Sequence, residues 1–185
     1  AQADRLIAEL GRPMVLKIPD GSFSRGIGKV ESRQELLDAL SGYLKQSAVV
    51  LAQAFMYTDY DWRIGVLNHR PLFACQYFMS KGHWQIYHHQ EGGKTASGRF
   101  RTLPVREVPP KVLRVALKAA RLMGNGLYGV DLKQSGDDVV VMEVNDNPNV
   151  DAGVEDLWLG EDLYRQIMLE FLRRTLLLPQ KQVAA

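Results

Sequence analysis

Residues 129–151, GVDLKQSGDDVVVMEVNDNPNVD, concentrate oxygen-bearing side chains on what reads as a pair of strands. If the two strands run antiparallel about a tight turn centred near Asp137, Asp131 lies directly opposite Glu143, with Cβ atoms about 5 Å apart. Asn145, two residues further on, shares that face. Two carboxylates so placed repel each other, and a hard divalent cation with oxygen ligands, Mg²⁺ or Mn²⁺, relieves the repulsion and brings phosphate with it. Val130, Val140, Met142 and Val144 alternate with the polar residues and are expected to face a core. The alternative is a set of solvated acids on an outward sheet face. A one-residue slip would part Asp131 from Glu143.

Two further segments carry chemistry. DGSFSRG, 20–26, offers Gly21, Ser22, Ser24 and Gly26, whose N–H groups and hydroxyls suit an anion, and Lys17 precedes it with a point charge. It matches neither the Walker pattern nor the dinucleotide fingerprint, so an ordinary hairpin tip is the alternative. In Asp61-Trp62-Arg63, alternation puts Asp61 and Arg63 on one side. That pattern suits either a local salt bridge or a guanidinium for a carboxylate or phosphoryl group. Arg99 and Arg101 are similar candidates. His83, His88 and His89 read as surface residues, and no Ser-His-Asp order stands out.

The elements that must position these groups follow from periodicity. A helix stops at Gly11, MVLKI (14–18) and IGKVE flank the Gly/Ser loop as a hairpin, and Ser32 with Glu35 spells a capping box for a helix to about Leu44. SAVVLAQAF (47–55) reads as a central strand and a hinge, dividing a smaller lobe (1–52) from a larger one (53–178) with a loose tail (179–185). WRIGVLN and PLFACQYFM form a hairpin, HWQIYHH a strand, and EGGKTASGR is too Gly- and Ser-rich for regular structure. Pro109-Pro110 start a helix that ends at Gly124, and a last amphipathic helix spans about 161–177. Hairpins outnumber crossovers, which predicts an α+β architecture with antiparallel sheets.

Composition narrows the class. The chain has 185 residues, 46% hydrophobic and 24% charged, with net charge +2. Those values exclude wholesale disorder and give no reason to expect nucleic-acid affinity. No apolar run approaches the roughly 18 residues of a membrane span. Cys75, the single cysteine, sits in an apolar run and reads as a core residue of a reducing, cytoplasmic compartment. The chain begins without Met in a helix already under way, and so reads as a piece of a longer protein.

Taken together, PMVLKIPDGSFSRGIGKV, VLAQAF, DWRIGVL and GVDLKQ…VMEVNDNP resemble the ATP-grasp ligases, and among them the RimK-like branch of amino-acid ligases. The likeness runs from about residue 10 to 175. It implies two α+β lobes with ATP between them, and an N-terminal domain of the same protein outside this sequence. It implies that Lys17 and the 20–26 loop meet the phosphates, that Gln53, Ala54, Phe55 and Met56 line the adenine, and that Asp131, Glu143 and Asn145 bind Mg²⁺ or Mn²⁺. Arg63 matches an arginine near the transferred phosphate, with Arg99 a further candidate. The implied reaction activates a carboxylate as an acylphosphate, which an amine of an amino acid or peptide then attacks, a protein C-terminus being one such substrate. Ala54 departs from the glutamate that RimK-like hinges often carry, which leaves Asp59 as the candidate for the ribose. A nucleotide-binding module without turnover and a structural divalent-ion domain are the rival readings.

Overall fold

The computed structural model describes residues 2–19, 26–89 and 95–177, and the chain divides into two units, Ala1–Tyr57 with Gly82–Ser97 and Thr58–Lys81 with Gly98–Ala185. The first boundary therefore follows Tyr57 rather than residue 52, and a later segment returns to the first unit. Gly21, Ser22, Ser24 and the tail at 179–185 lie outside the described residues.

The first unit holds helices α1 (Gln2–Leu10) and α2 (Arg33–Tyr43) against a three-stranded antiparallel sheet of β1 (Met14–Lys17), β2 (Ile27–Val30) and β3 (Leu51–Ala54), ordered β2-β1-β3. The expected central strand, β3, is thus an edge, and β1 is the centre. Met14, Leu16, Val30 and Leu36 are buried between sheet and helices. Ser32 Oγ accepts from the Glu35 N–H at 3.2 Å, while the Glu35 carboxylate reaches back to the Glu31 N–H at 2.9 Å, which fixes the start of α2. Gly28 faces α2: a Cβ there would stand 2.7 Å from the Tyr43 hydroxyl, so its small size serves packing.

The unit also holds a short hairpin, β6 (Tyr87–His89) and β7 (Thr95–Ser97). The strand expected across HWQIYHH is confined to its last three residues. The strand Thr95–Ser97 falls in the segment expected to be irregular: even a Gly-rich run supplies a strand where a partner edge is offered.

The second unit is a five-stranded antiparallel sheet ordered β10-β9-β4-β5-β8. Its strands are β4 (Tyr60–Leu67), β5 (Arg70–Phe78), β8 (Phe100–Leu103), β9 (Leu127–Ser135) and β10 (Asp138–Asn145). On one face lies α3 (Pro110–Met123), whose Val112, Ala116 and Ala120 recur at helical spacing and bury against Trp62, Ile64, Val130 and Leu132. On the other, α4 (Glu161–Leu177) sets Leu163 against Phe73 and Cys75. No helix of the described residues is long and apolar enough to cross a membrane.

Burial pushes the Cys75 thiol from 9.0 up to about 11, with the Thr102 hydroxyl opposing. The unfolded chain gives up this proton first. Between those values the folded state binds more protons, so stability falls as pH rises, by about 1.4 kcal/mol per pH unit. Urea unfolding of wild type and Cys75→Ala from pH 9 to 11 is expected to show a fall steeper by this slope in wild type; equal slopes would refute it.

Candidate functional site

Asp131 pairs with Glu143 on β10 and with Arg63 on β4, so the three residues form one row across neighbouring strands. Directly opposed residues share a face. Cys75 on β5 and Thr102 on β8 extend the row.

The register arises by a route the sequence pattern does not show. The turn is Gly136-Asp137, between Ser135 and Asp138, and pairing from there sets Val141 against Leu132. Continued unchanged it would set Met142 against Asp131. A β-bulge at this point inserts Met142 and brings Glu143 to Asp131 instead. The same bulge switches the core-facing positions. Val139, Val141 and Val144 pack on the core, and Val140, expected there, is 46% exposed.

Asp131 accepts a two-pronged hydrogen bond from Arg63, Nε to Oδ1 at 2.8 Å and Nη2 to Oδ2 at 2.7 Å. Asn145 Nδ2 donates to Oδ2 at 3.2 Å. Burial alone would lower the Arg63 pKa, but the bonds to Asp131 outweigh it and hold the guanidinium charged. The loop after β10 lies over the same face: a Cβ on Gly129 would stand 2.8 Å from Pro148 Cβ, so only glycine admits this approach.

Next to this row sits a second cluster. Lys133 Nζ donates to Asp61 Oδ1 at 2.6 Å and to Thr58 Oγ1 at 2.8 Å, and Thr58 donates to the same Asp61 oxygen at 2.9 Å. Burial pushes the Asp61 carboxyl up, with Lys133 and Thr58 opposing. The ion pairs of Asp61 and Arg63 thus run across strands rather than to each other. Arg63 lies 5.4 Å over the Tyr77 ring, and the Tyr77 hydroxyl donates to Glu155, a carboxylate 1% exposed. Burial, then this bond, raise the Tyr77 pKa well above its ordinary value. The second Glu155 oxygen accepts from the Asp151 N–H at 2.8 Å.

Thr58, Lys133, Tyr77 and Glu155 were not singled out by sequence. Lys133 was legible as a same-face neighbour of Asp131; Glu155, in an irregular segment, carried no periodic signal. Arg99 is exposed and stacks on Phe78 at 5.9 Å, away from Asp131, whose partners are Arg63 and Asn145. Asp59 is exposed, and its carbonyl accepts from Met79 N–H.

In the first unit, Lys17 pairs with Ile27 and Leu51, and Val15 pairs with Lys29 and Gln53. These side chains share the sheet face opposite α1 and α2. Lys29 stands 5.2 Å over the Phe55 ring, and Trp84 meets that ring edge-on at 5.9 Å. Gln53 Oε1 is buried and has no hydrogen-bond partner among the described residues. Ala54 pairs with Met14 on the helix-covered face, so it offers the Lys17 face only backbone. Gly26 is described, with φ +68°, at the start of β2; Met56 is half-buried.

Among the described residues no three His, Cys, Asp or Glu side chains gather as a metal group. Asp131, Glu143 and Asn145 instead supply two carboxylates and an amide on one face. That hard oxygen donor set fits Mg²⁺ or Mn²⁺, which keep several waters and need few protein ligands.

This antiparallel α+β fold is that of the ATP-grasp ligases. The family model for the RimK-like ATP-grasp domain matches residues 1–168, and the chain belongs to that family. A probable alpha-L-glutamate ligase of Chromohalobacter salexigens is 26% identical over 173 residues, covering 92% of this chain and 53% of the relative. The chain thus spans about half the length of such curated relatives. A D-alanine–D-alanine ligase of Bacillus anthracis aligns at TM-score 0.69 with 19% identity, covering 92% of this chain and 58% of that one. The ATP-grasp ligase PsnB, solved with its precursor peptide PsnA2 and AMPPNP, aligns at 0.60 with 21% identity, covering 90% and 50%.

Proposed function

We propose that this chain is the ATP-binding core of a carboxylate–amine ligase that adds a glutamate-like amino acid to a peptide or protein C-terminus in the cytoplasm. The observation that carries this reading is the row Arg63, Asp131, Glu143, with Asn145 beside it. Family membership and the glutamate-ligase name of its relative support it.

In this reading Lys17 and Gly21, Ser22, Ser24 and Gly26 bind the ATP phosphates, and Gln53, the Ala54 backbone, Phe55 and Met56 receive the adenine. Asp59 meets the ribose. Asp131, Glu143 and Asn145 hold Mg²⁺, which when bound neutralises phosphate charge. Arg63 steadies the γ-phosphoryl group, and Arg99 the carboxylate substrate. A substrate carboxylate oxygen attacks the γ-phosphorus and ADP departs, leaving an acylphosphate. An amine then attacks the acyl carbon, losing a proton as phosphate leaves. Such transfer depends on positioning and charge more than on a covalent residue.

Gln53 gives a test at the base. A buried acceptor without a partner costs about 1–3 kcal/mol, and the exocyclic amine of adenine would satisfy it. Gln53→Leu is expected to cut the preference for ATP over ITP, which carries a carbonyl there, by about tenfold. Calorimetry checks this, and an unchanged ratio would remove the side chain from base reading.

A second reading is a nucleotide-binding module without turnover. ADP release by the full-length protein with ATP and an amino-acid mixture separates the two: only a ligase releases it in proportion to amide formed.

A further inference from the structure

Three hydrogen bonds already engage the Asp131 carboxylate, one on Oδ1 and two on Oδ2. Arg63 holds each oxygen, and Asn145 adds the third bond, in a pair whose side chains are 23% and 22% exposed. A divalent cation at the one remaining direction, on Oδ1, would stand beside the Arg63 guanidinium, so like-charge repulsion sets metal and arginine in competition for this carboxylate. The guanidinium has a second place to rest. It already lies over the Tyr77 ring, whose hydroxyl is bound to the buried Glu155 carboxylate, so π density and a second anion stand on its other side.

We infer that Arg63 is the resident counter-ion of Asp131, exchanged for the divalent cation when the metal binds, and that Tyr77 and Glu155 retain the displaced guanidinium beside the site. The inference rests on the metal role proposed above and adds a competitor to it. The exchange is reciprocal: whatever draws Arg63 from Asp131, a nucleotide phosphate included, raises metal affinity, and metal frees Arg63 for phosphate by the same factor.

The test is Mn²⁺ binding to the nucleotide-free protein, read by the electron-spin signal of the free ion. Arg63→Gln removes the competing charge and is expected to bind Mn²⁺ about tenfold more tightly than wild type, the scale on which a nearby cation shifts a carboxylate. Arg63→Lys keeps the charge but loses the two-pronged grip, and is expected to fall between. Arg121→Gln, which removes an exposed arginine of α3 on the opposite sheet face, should match wild type. Asp131→Asn should bind no Mn²⁺ at this site.

Should Arg63→Gln fail to fold by circular dichroism, Arg63→Lys decides alone. Mn²⁺ binding that needs Asp131 yet is equal or weaker in the Arg63 variants overturns the exchange while leaving the metal site standing. Absence of Asp131-dependent binding in every protein overturns both.

Discussion

Asp131→Asn is expected to lower amino-acid-dependent ADP release by about three orders of magnitude in the full-length protein, the scale of removing a preorganised charge from a phosphoryl-transfer site. Asp131 faces Arg63 and Glu143 at once, so its loss removes the proposed metal anchor and unpairs the arginine proposed for the γ-phosphate. The fold should survive. About a quarter of each side chain is exposed, so solvent screens the lost ion pair and the cost is about 2 kcal/mol. A coupled assay for ADP with parallel urea unfolding separates the two effects. Turnover close to wild type would exclude Asp131 from the chemistry.

Glu155→Ala carries the largest expected effect on stability, about 3 kcal/mol. It strands the half-buried Tyr77 hydroxyl and the Asp151 N–H, each of which now bonds one carboxylate oxygen. Glu155→Gln keeps one acceptor for the Asp151 N–H and an amide against Tyr77, and should cost about 1 kcal/mol. The segment so anchored follows directly on the Asn145–Pro148 loop, which Gly129 admits against β9. The alanine variant should therefore also weaken Mn²⁺ binding. Urea midpoints that do not order as wild type, Gln, Ala would show that Glu155 does not anchor this segment.

Much of the fold was legible because its signals are local. The helix starting after Ser32, the turn after Leu67 and the final helix at Glu161–Leu177 follow from caps, turn residues and apolar spacing. The antiparallel α+β class followed from hairpin order, and the motif order carried the family. What escaped depends on contacts distant in sequence. Among the described residues β3 pairs with β1 alone and so forms an edge, which its apolar, β-branched run could not reveal. The pairing of Asp131 with Glu143 was expected from a turn centred on Asp137. The chain instead makes a two-residue turn and recovers that register through a bulge at Met142, with Val140 turned outward in consequence. Alternation along one strand cannot report a bulge, because the extra residue inverts the pattern only beyond it. Tyr77 and Glu155 are 78 residues apart and meet only through the fold.

The most direct measurement is calorimetric binding of a non-hydrolysable ATP analogue, with and without Mg²⁺, to wild type and Glu143→Gln. Wild type should bind at least about tenfold more tightly with the metal, and Glu143→Gln should bind equally with and without it. Full Mg²⁺ dependence in Glu143→Gln, or none in wild type, would contradict the proposal that these paired strands hold a metal-bound nucleotide.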